Sequence, residues 1–353
     1  MAASWIKWLR QGTWRRAAGW LLAVALLGLV GYYAIRAWWI EPNAPVRLIV
    51  YAFSTQEEVF TQGIFPAFEA AWEAETGRDL AIEGVFEASG ALAAQINMGA
   101  PADVAVFSNA EHVDWLRIGK RVQEDSTPVI VGCTPMIIAV RPGNPFHISD
   151  YAGLAQQGIR LLHADPRSSG AGAWSLLSEY GDAYFATGDQ AVATDQLIAV
   201  WRNVQILVPS ARAAMRLFEL GTGDALVTYE QDALRAEERK AEIEIVIPAR
   251  TVVAQHAAII VDTNVTRTEK AAAESFVHFL SSDAGQSILE GYYLRPADCR
   301  SNLFPLLAQP FTAEDLGGWS RASAQLVQGV WQEEIEPGLD LEPLQILTRT
   351  GER

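Results

Sequence analysis

An α/β fold in two strand–helix series is predicted for this chain, and three observations predict it. From Val46 onward, short apolar runs alternate with segments of helical spacing, the pattern of a parallel sheet covered by helices. A breaker cluster, Arg141-Pro142-Gly143-Asn144-Pro145, interrupts the alternation, and a second series of the same kind begins at Gly158. A strand-like run from Val252 to Val261 then reads as a return crossing toward the first series. With 353 residues the chain is long enough for two domains with real cores.

In the first series, V-R-L-I-V-Y (46–51) is a buried strand and Ala52–Gln56 a turn. Val59, Ile64, Phe65, Phe68 and Trp72 give helical spacing over Glu57–Thr76. Pro66 marks a break or a new helix start, and Gly77-Arg78 closes the helix. D-L-A-I-E-G-V-F (79–86) is a second strand, followed by a helix holding Leu92 and Ile96; A-D-V-A-V-F (102–107) is a third. T-P-M-I-I-A-V (134–140) leads into the breaker cluster and out of the first lobe. The second series holds an apolar run at Gly158–Leu162 with a helix after it, then N-V-Q-I-L-V (203–208) and D-A-L-V-T-Y (224–229). Lys270–Leu289 reads as one helix, and the tail from 301 adds helical pieces and an acidic, solvated run over Glu333–Glu342. The lobes are therefore expected at 46–140 with 250–353, and at 141–249.

The N-terminal part differs from the rest. Residues 1–16 are basic and carry no acid, and Ala17–Ile35 is 19 residues without a charge. That length spans a bilayer core of roughly 30 Å. Trp14, Trp20, Trp38 and Trp39 flank it, as interfacial aromatics do. A single transmembrane anchor is expected, with its basic flank cytoplasmic, a tether over 36–45 and the bulk of the chain outside. A cleaved signal peptide is the competitor, though the span shows no A-x-A-like site.

A net charge of −15 argues against nucleic acid as a partner. It also argues against steering an anion by overall charge, so any anion site must be local. The two cysteines, Cys133 and Cys299, are open to one disulfide or to two buried thiols. No G-x-S-x-G, no G-x-x-x-x-G-K-[ST] and no G-x-G-x-x-G occurs. Five scattered histidines show no H-E-x-x-H spacing. No enzyme activity, metal or cofactor is therefore expected; His163 reads as structural, and Tyr292-Tyr293 as packing aromatics rather than iron ligands.

Four turns share one character: Ser54-Thr55, Ser89-Gly90, Ser168-Ser169-Gly170 and Ser210-Ala211. Each follows an apparent strand and puts small or hydroxyl residues before a helical pattern. The longest, H-A-D-P-R-S-S-G-A-G-A-W (163–174), offers Ser168 or Ser169 as a helix cap and leaves the first-turn N–H groups of Gly170–Gly172 uncovered. Such groups at the positive end of a helix form an anion site. Four of these turns in a two-lobed chain point to a cleft lined by helix N-termini.

The segment D-P-R-S-S-G-A-G-A-W resembles the matching turn of the bacterial periplasmic sulfate/thiosulfate-binding proteins. So do, in the same order, S-A-R (210–212) with G-T-G-D-A-L-V-T-Y-E-Q-D-A-L (221–234), Y-Y-L-R-P-A-D (292–298) and F-T-A-E-D-L-G-G-W (311–319). The resemblance implies a type II two-lobed periplasmic-binding-protein fold with two crossover hinge strands. It also implies capture of sulfate, or of a similar tetrahedral oxyanion such as thiosulfate, for an ABC importer's permease. Carried over by motif, Ser54 stands where the family has an aspartate and donates its main-chain N–H, and Ser89 keeps a serine. Ser169 donates its hydroxyl; Gly170, Ala171 and Ala211 donate N–H groups; Arg212 buttresses the hinge region. Tyr229 replaces the family's indole donor. A phenol donates as an indole does but can also accept, so the choice among oxyanions is expected to rest there. The alternative is a tethered oxyanion sensor or interaction module that keeps the fold without a transport role.

Overall fold

The computed structural model describes residues 19–33 and 45–341. Residues 19–33 form a helix with largely exposed side chains. The basic segment, the two ends of the 17–35 span and most of the tether lie outside the described residues. Among the described residues no helix is long and apolar enough to cross a membrane, so the expected anchor is not supported there.

In the first lobe β1 (Val46–Phe53), β2 (Leu80–Glu87) and β3 (Val104–Phe107) pair in parallel. After β1 the chain stays helical through short turns to Ile64 and into α1 (Phe65–Thr76). Pro66 sits in the first turn of α1, and Gly77 closes α1 at φ 66°. The segment Phe60–Ile64 before it is π-helical, so the break predicted at Pro66 is a change of helical register. α2 (Ser89–Asn97) and α3 (Glu111–Ile118) complete the lobe's first half.

The second lobe repeats the theme. β5 (Leu161–Ala164) pairs in parallel with β6 (Val204–Val208) and β7 (Ala225–Tyr229). Between them lie α4 (Gly170–Thr187), α5 (Gln190–Trp201) and α6 (Ala211–Glu219), and α7 (Glu230–Glu238) follows β7.

Two long antiparallel strands join the lobes. β4 (Val129–Val140) pairs with β9 (Arg250–Ile260) up to Pro135, then with β7 from Met136. β9 pairs with β3 through Ala257–Ile260, while its start runs beneath α4, where the Val252 N–H donates to Ser178 Oγ at 3.2 Å. The strand order is β2-β1-β3-β9-β4-β7-β5-β6, with β8 (Glu244–Val246) beside β4 and β10 (Gln309–Phe311) beside β9. The crossing thus happens within β4 at Pro135/Met136, before the Arg141–Pro145 cluster that the sequence suggested as the exit.

One further expectation changes. The helix expected over 270–289 is two, α8 (Arg267–Ser281) and α9 (Asp283–Gly291). Ser282 is extended and caps α9, accepting from the Gly285 N–H at 3.2 Å. A Cβ at Gly285 would come within 2.0 Å of the Phe279 carbonyl, so only glycine fits this corner. The tail touches both lobes: Trp331 meets Trp201, Gln325 meets Tyr180 and Glu336 pairs with Arg167, while Ser323 Oγ donates to Glu111 Oε1 at 2.6 Å. Finally, Cys133 and Cys299 form a disulfide across 166 residues, which ties β4 to the chain after α9.

Candidate functional site

The parallel strands of both lobes point their carboxyl ends at one place, as open α/β sheets do. There Phe53, Ser54, Thr55, Ala88, Ser89, Ser108, Ser169, Gly170, Ala171, Ala211 and Tyr229 line one small cavity. All seven ligand candidates from the sequence lie in that lining. Arg212 does not. It reaches back across the cleft mouth, with Nη1 donating to the Ser54 carbonyl at 3.0 Å and Nη2 3.0 Å from Glu57 Oε2. Its bonds therefore go to the turn after β1, and none is to the crossover strands.

Each wall of the cavity starts a helix. Ser54–Gln56 opens the helical run after β1, Ser89 opens α2, Gly170 opens α4 and Ala211 opens α6, while Tyr229 precedes α7. First-turn N–H groups have no partner inside their own helix. On α6 the Ser210 hydroxyl accepts from the Ala213 N–H at 3.2 Å, which leaves the Ala211 N–H for the cavity. On α4 the expected cap does not form. Ser169 is the capping residue but its hydroxyl makes no cap bond, and Ser168 Oγ donates to the Pro209 carbonyl at 2.9 Å instead. Ala171, where the resemblance has glycine, lies in regular helix at negative φ and is unstrained.

Ser89 is held from behind. Its Oγ accepts from the Ser108 N–H at 3.1 Å and lies 2.8 Å from His112 Nδ1. The Gly90 N–H donates across the cleft to the Ser168 carbonyl at 2.9 Å. A Cβ on Gly90 would come within 2.9 Å of that oxygen, so the lobes touch where glycine permits it.

No lining residue is charged. The two imidazoles behind the wall are neutral at physiological pH. Burial lowers His112 to about 3; burial also lowers His256 to about 4, against the opposing bond to the Ser108 carbonyl. Burial holds the Tyr229 phenol far above its ordinary value, and the neighbouring Ser108 hydroxyl offsets this in part. Yet the hydroxyls of Ser108 and Tyr229 make no hydrogen bond of proper geometry, with each other or with any other described group. Buried polar atoms without partners are costly, and here both face one cavity. An uncharged chamber lined by helix N-termini and two unpartnered hydroxyls suits a small dehydrated anion.

Ser108 is the polar lining residue that sequence reasoning missed, beside the apolar Phe53 and Ala88. The signal was present, since a serine follows the third strand just as Ser54 and Ser89 follow the first two. His163, by contrast, lies outside the lining. It stacks on Trp201 at 4.7 Å inside the second lobe, 3.3 Å from Glu179, whose carboxyl burial raises to about 8. Tyr292 packs under the Arg235 guanidinium at 4.9 Å.

Two lobes, two connecting strands and a donor-lined chamber between them define a solute-binding protein of the two-lobed class. The family model for bacterial extracellular solute-binding proteins matches residues 59–295, and the chain belongs to that family. It is 32% identical over 298 residues to the sulfate-binding protein of Escherichia coli (strain K12), covering 79% of this chain and 89% of that one. It is 30% identical over 244 residues to the thiosulfate-binding protein of Pseudomonas aeruginosa, covering 65% of this chain and 73% of that one. Among solved structures, the sulfate-binding protein SubI from Mycobacterium tuberculosis superposes with a TM-score of 0.73 at 27% identity, over 80% of this chain and 99% of that one.

Proposed function

We propose that this chain captures a tetrahedral oxyanion, sulfate first and thiosulfate as its nearest rival, and delivers it to the permease of an ABC importer. The observation that carries the reading is the uncharged cavity into which helix N-termini from both lobes converge. The main-chain N–H groups of Ser54, Ser89, Gly170, Ala171 and Ala211 and the hydroxyls of Ser169 and Tyr229 bind the anion, and Arg212 closes the mouth. Each charge-assisted bond contributes about 1.5–3 kcal/mol, so several together offset the dehydration of a dianion. The similarity to sulfate- and thiosulfate-binding proteins supports the ligand class. One lobe is 46–140 with 250–353, the other is 141–249, and the C-terminal helices touch both. They close over the anion about β4 and β9. The apolar segment 17–35 holds the folded part at the outer face of the cytoplasmic membrane, a reading supported by its length and its basic N-terminal flank.

Titration calorimetry of the full chain against sulfate, thiosulfate, molybdate and phosphate tests the ligand class. Heat with sulfate or thiosulfate is expected, and silence with all four anions rejects the reading. Membrane association is read separately, by whether the full chain fractionates with the membrane and whether deletion of 17–35 releases it.

A further inference from the structure

The donors of the cavity are of two kinds. Main-chain N–H groups can only donate, whereas hydroxyls donate and accept. A chamber of N–H groups alone rejects a protonated oxyanion, because the ligand's O–H would face donors and lose its own acceptor. Ser108 and Tyr229 change that balance. Both are buried to 1% exposure, both line the cavity, and both hydroxyls lack a properly formed bond.

Ser108 is held in place on every side. Its carbonyl accepts from Trp174 Nε1 at 2.8 Å and from His256 Nδ1 at 3.1 Å, and its N–H goes to Ser89. Its Oγ lies so close over Gly170 that a Cβ there would come within 1.7 Å. Gly170 is thus the residue that makes room for the Ser108 hydroxyl at the head of α4. Tyr229 is fixed by edge contacts to Phe53 and His256, with centroids 6.3 and 5.4 Å away. With both residues fixed, only the hydroxyl hydrogens are free to turn.

We propose that Ser108 and Tyr229 form a two-hydroxyl subsite that accepts the proton of a protonated oxyanion, so that the chain also binds hydrogenphosphate-class dianions. This inference rests on the oxyanion reading above. With an unprotonated anion, both hydroxyls turn their hydrogens toward it. With a protonated one, a hydroxyl oxygen accepts the ligand's O–H and its own hydrogen turns to the other hydroxyl or to a second ligand oxygen. No carboxylate is needed as acceptor, so the dianion meets no opposing charge.

The test compares dissociation constants for hydrogenphosphate and sulfate, measured by calorimetry on the full chain at about pH 8, where phosphate is chiefly a dianion with one O–H. Wild type should bind both. Ser108→Ala and Tyr229→Phe should each raise the hydrogenphosphate constant about tenfold more than the sulfate constant, because only the protonated ligand loses an acceptor. Tyr229→Trp, which keeps a donor and removes the acceptor, should shift the ratio the same way and serves if a truncation does not fold. A ratio unchanged in the folded variants overturns the proposal, as does wild-type binding of sulfate without hydrogenphosphate. Absence of binding by every oxyanion overturns the ligand class itself, and is thereby told apart from failure of the subsite.

Discussion

The cavity lining carries no charged side chain, whereas the two joints that flank it are built on arginine–carboxylate pairs. At the hinge end, Arg295 grips Glu230 in a two-pronged bond, Nε to Oε2 at 2.7 Å and Nη2 to Oε1 at 2.8 Å, with side chains 4% and 1% exposed. At the mouth, Arg235 and Arg212 of the second lobe reach Glu58 and Glu57 of the first, and these groups are far wetter, 14% and 27% exposed for Arg235 and Glu58. Charges already paired within the protein register the lobes without competing for the ligand. On the oxyanion reading proposed above, the chamber recognises its anion by shape and donor direction, since a bare cation inside it would attract any anion. The difference predicts that joint mutations act on stability and closure, and that lining mutations act on affinity.

The largest effect belongs to the hinge joint. Glu230→Ala strands a buried guanidinium, so stability should fall by about 3–5 kcal/mol, read by chemical denaturation of the full chain. Replacing Glu230 and Arg295 together by apolar residues of similar volume should restore much of that loss. A Glu230→Ala protein as stable as wild type breaks the comparison, because the pair would then be no joint.

Next comes the covalent tie beside it. Cys133→Ser with Cys299→Ser opens a loop of 166 residues, at an expected cost of about 2–5 kcal/mol. Anion affinity measured below the new unfolding transition should stay within a few-fold. A large affinity loss in a folded double mutant would mean that the disulfide positions the chamber as well as stabilising the hinge.

Ser169→Ala probes the other side of the comparison. The Ser169 hydroxyl makes no cap bond, so its removal should leave stability nearly unchanged and weaken oxyanion binding by about 1–3 kcal/mol. A stability loss without an affinity loss would make Ser169 a structural residue and remove it from the site.

These sites were unequally legible in the sequence. The turns at Ser54, Ser89, Ser169 and Ala211 could be read because local chemistry writes them, with small and hydroxyl residues between a strand and a helix. Ser108 follows the same rule, but its value rests on Gly170 making room for it 62 residues later, and no local pattern records that meeting. The capping role given to Ser168 or Ser169 failed for a related reason. The Pro209 carbonyl offered Ser168 a tertiary acceptor, which overrode the local preference for a cap. Strand ends blurred for the same cause. β4 is one run from Val129 to Val140 whose partner changes at Pro135/Met136, and only the pairing shows the change. The pieces Y-Y-L-R-P-A-D and T-Y-E-Q-D-A-L carried the resemblance, yet their most buried charged residues, Arg295 and Glu230, serve the joint and not the ligand.

The smallest expected effect sharpens the comparison most, because it separates closure from binding. Burial pushes the Glu58 carboxyl up, but Arg235, Arg239 and Arg212 outweigh burial and hold it below its ordinary value. A lowered acid pKa in the closed form means that the mouth joint is complete above the ordinary carboxylate range and is lost as pH falls through the lowered value. Glu58→Gln should therefore cost about 1 kcal/mol or less in affinity, the scale of a partly exposed pair, and appear mainly as faster anion release. Raising the salt concentration should speed release in wild type and have less effect in Glu58→Gln, since screening acts on the pair that the mutation removes. Stopped-flow release measured at two ionic strengths checks this. An equal salt effect in both proteins would show that the mouth arginines do not hold the lobes shut, and would leave closure to the Gly90–Ser168 contact and the ligand itself.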